Sequence, residues 1–324
     1  MRFRKIILLV FLLSFFGQWS LFGQRLRKGR ALRPKETEGY VSAGLQLGAA
    51  NYFGDIPSGI QATRPSAGIF ISRKLGPRSH ARLGLSWLRL EADDFFSEET
   101  SGTYARNLHF RNDIIELSLV NTLDLIPSYG KHQRRALFTP YLYYGVAVIY
   151  QNPRARLPLN QGGDWIELQP LGTEGQGRPG YDDPYSKVQL AIPLGLGVKW
   201  AINERLNVGI ESGIRFAFTD YLDDVSGEYP ELDELGNPLA VALANRTLEE
   251  ASALQNQNRA LAAAIERFGI DSYVGFDGNT YQSLASFRRG ESLRGNPNSR
   301  DLYFVTSVHF SYIINVGLKC PQFK

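Results

Sequence analysis

One cysteine, one methionine and four histidines are all that this 324-residue sequence holds of those residue types. Cys320, close to the C-terminal end, has no second cysteine to pair with, so no internal disulfide framework holds the chain. No cysteine stands at the expected cleavage point after the N-terminal apolar segment either, which argues against a lipid-anchored mature N-terminus. The histidines, His80, His109, His132 and His309, are scattered, and no two have the HExxH spacing of a zinc site. No GxxxxGK phosphate loop occurs; GTEGQG at Gly172–Gly177 falls in a loop, where its glycines read as flexibility. No apolar run reaches the roughly 20 residues of a membrane-spanning helix. The sequence therefore assigns no catalytic residue, no cofactor and no metal ligand.

What is present is alternation. Lys187–Ser226 begins KVQLAIPLGLGVKW, in which Val188, Leu190, Ile192, Leu194, Leu196, Val198 and Trp200 take every second position. After the polar turn AINE the pattern restarts, with Leu206, Val208, Ile210, Ile214, Phe216 and Phe218 on one face and Asn207, Gly209, Glu211, Gly213 and Arg215 on the other. Such period-2 runs are strands with one apolar and one polar face. Each is long enough to cross a hydrocarbon layer, which takes about 9–11 tilted strand residues. The same pattern predicts further strands at Tyr40–Tyr52, Arg64–Leu75, Ala81–Glu91, Phe110–Leu125, Phe138–Tyr150 and Leu302–Leu318. In the third, the phase breaks at Leu88, which predicts a bulge or an interfacial strand end. In the fifth, four tyrosines leave the facing open.

Eight strands form the smallest even-numbered barrel of the outer-membrane type. The connectors support it: 53–63, 92–109, 151–186 and 220–301 are long or turn-rich, whereas 76–80, 126–137 and 202–205 are short. Long loops outside and short turns in the periplasm give that asymmetry. A hydrophobic fraction of 43%, a mean hydropathy of −0.22, and abundant glycine and aromatics suit such a fold. The expectation is an all-β, eight-stranded antiparallel transmembrane outer-membrane β-barrel over 40–324, with long extracellular loops. Glu116, Glu211, Arg82 and Arg215 lie on the polar faces and are placed to pair inside a lumen that side chains fill. In the loop 220–301, good helix formers predict one helix over Leu239–Phe268.

Arg2, Arg4 and Lys5, then the apolar Ile6–Phe16 and the small Gly23, read as a signal peptide over 1–23, with the mature chain starting near Gln24. The net charge of +4 is mostly a property of this end. Arg25, Arg27, Lys28, Arg30, Arg33 and Lys35 make the tail 24–39 basic, a candidate contact for an acidic partner or for anionic headgroups. Without the signal and tail cations, 27 basic residues stand against 32 acidic ones. Nucleic acid is excluded as a partner of an exported chain of this balance. The densest acidic cluster is Asp220, Asp223, Asp224 and Glu228, which reads as a loop base or, without any EF-hand pattern, as oxygen ligands for calcium. Ser307 and His309 share a strand face, but no acid is assigned beside them, so a lipid-modifying enzyme stands as an alternative without a triad.

Several stretches resemble the PorG-like outer-membrane barrels of Bacteroidota that are associated with the type IX secretion machinery. They are GLQLGAANYFGDI (Gly44–Ile56), PYLYYGVAVIYQNPRA (Pro140–Ala155), PLGTEGQG (Pro170–Gly177), AIPLGLGVKW (Ala191–Trp200), TDYLDDVSGEY (Thr219–Tyr229) and KCPQFK (Lys319–Lys324). TDYLDDVSG together with LGTEGQG is the specific pair. The resemblance implies a non-enzymatic component of a secretion or gliding assembly, set among outer-membrane lipids and contacting periplasmic secretion-ring proteins. A small-molecule carrier or narrow passive channel is the other alternative.

Overall fold

The computed structural model describes residues 38–316. The expectations for the signal segment 1–23, for Arg25, Arg27, Lys28, Arg30, Arg33 and Lys35, and for Cys320 fall outside the described residues. The described residues form twelve strands: β1 (Tyr40–Phe53), β2 (Arg64–Lys74), β3 (Ser79–Asp93), β4 (His109–Asp124), β5 (Phe138–Tyr150), β6 (Pro153–Arg156), β7 (Trp165–Glu167), β8 (Val188–Ala201), β9 (Leu206–Ala217), β10 (Ile270–Val274), β11 (Thr280–Leu284) and β12 (Leu302–Val316). Eight of them form a closed antiparallel barrel in the order β3-β2-β1-β12-β9-β8-β5-β4, with β3 pairing β4 to complete the circle. These are the eight strands that the alternation predicts, within a few residues at each end.

Period-2 geometry sends successive side chains to opposite sides of the wall. Every barrel strand carries apolar side chains on its outward face along its middle stretch. Leu45, Ile69, Leu85, Leu117, Val148 and Leu190 are lateral neighbours from β1 through β8, and each is between 44% and 62% exposed. Phe218 continues the path beside Leu190, through a backbone hydrogen bond of 2.9 Å. A continuous apolar belt of this extent is stable against hydrocarbon and costly against water.

The expected bulge at Leu88 is absent: β3 pairs with β2 and β4 in unbroken register through that residue. Leu88, Leu90 and Ala92 keep the inward phase of Arg82 and Ser86. What changes at Leu88 is the lumen, which turns from polar to apolar, so the inward positions turn with it. The strand β5 also resolves: Tyr141 and Tyr143 point inward and are buried, while Tyr150 points outward. Their rings need space in neighbouring strands. A Cβ on Gly213 would come within 2.3 Å of the Tyr143 hydroxyl oxygen, and one on Gly197 within 2.5 Å of the Tyr141 ring. Gly195, Gly197 and Gly213 are slots for these two rings, and Gly209 leaves room for the His309 ring.

The short turns are tight. Between β8 and β9, the Asn203 side-chain oxygen accepts from the backbone N–H groups of Arg205 and Leu206, both at 2.9 Å. The long loops hold more structure than their composition suggests. Residues 151–186 carry β6 and β7, which extend the sheet from the outer end of β4. Residues 220–301 carry the β10–β11 hairpin, in a stretch where no period-2 signal stands out. Helix α1 (Gly102–Arg106) lies in the second long loop. The single helix expected over Leu239–Phe268 is instead two short ones, α2 (Pro238–Ala244) and α3 (Leu261–Phe268). Residues 245–260 leave the helical path because Asn245, Arg246, Thr247 and Arg259 are drawn into side-chain bonds with the rest of the cap. Helix propensity is a weak prior, and tertiary contacts override it here.

Candidate functional site

The lumen is stratified. At the short-turn end, Arg82 donates to both carboxylate oxygens of Glu211, at 2.7 and 3.1 Å. The Tyr141 hydroxyl donates to Glu211 at 2.7 Å and lies 2.9 Å from His309 Nε2. Because the Tyr141 proton goes to Glu211, His309 donates from Nε2, and its Nδ1 is left as a buried acceptor without a partner. Nearer the strand ends, Lys199 and His80 both reach Asp124, at 2.7 and 3.1 Å. One level up, Arg215 stands 3.7 Å from Glu116, and the Tyr303 hydroxyl donates to Glu116 at 2.7 Å. The four charges that the sequence places on the polar faces therefore pair as Arg82–Glu211 and Arg215–Glu116. Above them the lumen is closed by an apolar core of Tyr52, Leu88, Leu90, Phe110, Ile114 and Ile149, all nearly inaccessible, with Ile56, Leu108, Leu222 and Val225 packed on it from the loops. The short-turn end keeps a cavity of about 50 Å³ beside His309, room for one or two water molecules. A larger groove, of about 660 Å³, lies in the outer loops between Arg156–Gln161 and the 242–256 stretch.

Two of the four histidines sit on strands where the sequence suggests connectors: His80 in β3 and His109 at the start of β4. Ser307 and His309 both point into the closed lumen, 4% and 5% exposed. Ser307 lies opposite Glu211 in register, an acid that the sequence does not assign. Neither side chain can reach the lipid-facing side of the wall.

The acidic cluster separates. Asp220, Asp223 and Asp224 turn into the cap over the apolar core, whereas Glu228 is exposed and its backbone bridges to Leu293. Asp224 takes a left-handed backbone (φ 68°), unfavourable for a residue with a side chain. Three contacts hold it. Its carboxylate accepts from the Thr173 hydroxyl and from the Tyr185 hydroxyl, the latter at 2.5 Å, and its carbonyl accepts from Arg294 at 2.7 Å. Glu174 accepts from the backbone N–H of Ser226 and of Gly227 and from the Arg294 guanidinium, all at 3.0 Å. The two motifs TDYLDDVSG and LGTEGQG thus bind each other, and Arg294 from the far end of the last loop fastens them. The glycines of LGTEGQG serve geometry rather than flexibility: Gly172 and Gly175 adopt positive φ in a turn closed by a 2.8 Å hydrogen bond.

The lock extends to the other loops. Arg106 and Asp94 form a buried bidentate pair, and Arg106 also donates to the carbonyls of Arg294 and, at 2.9 Å, Asp55. The Tyr52 hydroxyl lies 2.7 Å from Asp223 and 2.5 Å from Asp301. A phenol has one proton to donate, so the second contact takes its proton from a carboxyl. Burial and mutual repulsion accordingly raise Asp223 and Asp301 well above the usual carboxylate range. Burial also pushes Asp220 and Asp224 up to about 6. Among the described residues, no group of three or more His, Cys, Asp or Glu side chains is arranged to hold a metal ion. Arg106, Arg294, Asp94 and Asp301 carry the lock and are not legible as a set, because they are single charges scattered through unpatterned loops. Asp301, immediately before β12, is the one that its place at a strand end could have flagged.

No curated protein matches the chain. Among solved structures it is similar to Neisserial surface protein A (8% identity, 85% of this chain and 97% of that one, TM-score 0.35). It is similar also to a major outer membrane protein of Thermus thermophilus (11%, 85% and 99%, 0.36) and to OprG of Pseudomonas aeruginosa (8%, 86% and 97%, 0.31). The barrel described above rests on this chain's own strand pairing. Residues 37–156 and 178–240, which include seven of the eight barrel strands and the TDYLDDVSG lock, match the family described as "Domain of unknown function (DUF6089)", and the chain belongs to that family.

Proposed function

We propose that the protein is an outer-membrane anchor and assembly component of a protein-secretion machinery of the type IX kind or of a related gliding machinery, and that it works through its two ends rather than through its lumen. The observation that carries this reading is the filled interior: paired charges and an apolar core occupy the barrel between the small cavity at the short-turn end and the cap. A passive channel or carrier needs an open path, and a lipid-modifying enzyme needs its nucleophile on the lipid side; both are disfavoured. The apolar belt supports the membrane setting, and the interlocked motifs are those that carry the resemblance to PorG-like barrels.

The short-turn end supports a periplasmic partner. Arg73, Arg78, Lys131, Arg134 and Arg205 are exposed there, and none forms an ion pair with a described residue. The exposed carboxylate of those turns is Glu204 alone among the described residues. Arg25, Arg27, Lys28, Arg30, Arg33 and Lys35 are further candidate contacts for such a partner. An acidic surface on a secretion-ring protein is the complement. Photo-crosslinking groups placed at Lys131 and Arg134 in living cells test this. Specific adducts with a periplasmic protein, lost when Arg73, Arg78 and Arg205 become glutamine, are expected. Undiminished secretion after deletion of the protein would overturn the reading.

A further inference from the structure

On β3, β4, β6 and β7 the outward face changes from apolar to charged at one level. Trp87 lies opposite Ile115, then Arg89 opposite Asp113, then Glu91, Arg111, Arg154 and Glu167 follow one another across four strands. Most of these charges are matched. Arg89 forms a bidentate pair with Asp113, Arg64 pairs with Glu91, and Glu167 is shared by Arg154 and Lys187 at 2.8 and 3.1 Å. Arg111 is the exception. Its guanidinium stacks on Trp165 at 4.0 Å from the ring centroid, it makes no hydrogen bond or ion pair with a described residue, and its Nε is buried without a partner. Stacking fixes the plane of the guanidinium and leaves its donors unspent. With Arg111 counted, five cations face three carboxylates on this patch.

We propose that Arg111, held flat on Trp165 and flanked by Arg89, Arg154 and Lys187, is the seat for the phosphate group of an outer-leaflet glycolipid. The acyl chains of that lipid lie down the adjoining apolar face, over Ile115, Leu117 and Val148, all exposed. A guanidinium presents a fork of donors that fits a phosphate oxygen pair, which is what a planar, unpaired arginine at a headgroup boundary offers. The occupant is a lipid rather than free phosphate because the seat is continuous with the belt: one molecule covers both surfaces. The inference rests on the membrane reading above and goes beyond it by assigning a ligand.

Native mass spectrometry of the folded full chain, released from detergent micelles, tests it with a phosphorylated lipid A, the same lipid after enzymatic dephosphorylation, and inorganic phosphate. Retention of the phosphorylated lipid is expected, with about a tenfold loss for Arg111→Gln combined with Arg154→Gln, the factor for one lost charge-assisted contact. Arg73→Gln with Arg205→Gln, at the opposite end, serves as the control and is expected to leave retention unchanged. Equal retention of the dephosphorylated lipid, equal loss in the control pair, competition by millimolar inorganic phosphate, or no effect of the Arg111 pair would each overturn the seat. Insertion of the same preparation into vesicles is scored separately, so that a protein that inserts without selecting phosphate refutes the seat alone, and one that fails to insert refutes the membrane reading.

Discussion

Arg82 and Glu211 are 129 positions apart in sequence, yet they meet in the lumen with both carboxylate oxygens engaged. Burying each alone is costly, so removing one partner is worse than removing both. Glu211→Leu is expected to lower unfolding stability by about 3–5 kcal/mol, and the double variant Arg82→Met with Glu211→Leu to recover most of it. Urea titration of the refolded protein in phospholipid vesicles measures both. That such a pair exists was legible, because both residues occupy polar-face positions of alternating strands. Its partner choice was not, since register between distant strands leaves no trace in local pattern. The cap carboxylates give a pH effect. Asp220 and Asp224 are raised from 3.8 to about 6, so the folded cap holds protons that an unfolded loop releases between those values. Their contribution is full below about pH 4 and is lost as pH rises through about 6. Hydrogen exchange over residues 219–227, corrected for intrinsic rates, is expected to show more protection at about pH 5 than at about pH 8, and Asp220→Asn with Asp224→Asn to shrink the difference.

Among elements, β3 and the last loop show where sequence pattern succeeds and stops. The alternation locates β3 but breaks phase at Leu88, which suggests a bulge or an interfacial end, whereas the strand keeps its register there. The inward side simply becomes apolar where loops pack down on it, and no local signal announces that. Leu90→Ala, within this apolar core, is therefore expected to cost about 2–5 kcal/mol, as a buried truncation does. Gly213→Val is expected to be worse, preventing refolding by displacing Tyr143, as followed by the change in electrophoretic mobility on folding. The 239–268 segment illustrates the opposite limit: its composition favours a helix, but Asn245, Arg246 and Arg259 bond across loops and divide it. Arg294→Ala removes the clasp between the two loop motifs. Limited proteolysis is expected to cut 170–186 and 220–230 faster in that variant, with the barrel fragment still intact.

At the scale of the whole molecule, the barrel is a sealed post. Its wall presents hydrocarbon-compatible side chains outward, its interior is filled by paired charges and apolar packing, and its long loops are fastened into one cap by buried arginines. Architecture and strand count were readable because period-2 alternation follows directly from the covalent geometry of strands. The cap was not, because it is built from single long-range bonds. The central claim is that nothing passes through this barrel and that its ends do the work. Planar-bilayer recording on the folded protein tests it most directly. The account predicts a flat baseline without unitary steps at any applied voltage that the bilayer tolerates, for the wild type and for a variant with 220–301 shortened alike. Reproducible ohmic steps from the wild type, scaling with salt concentration, would contradict it.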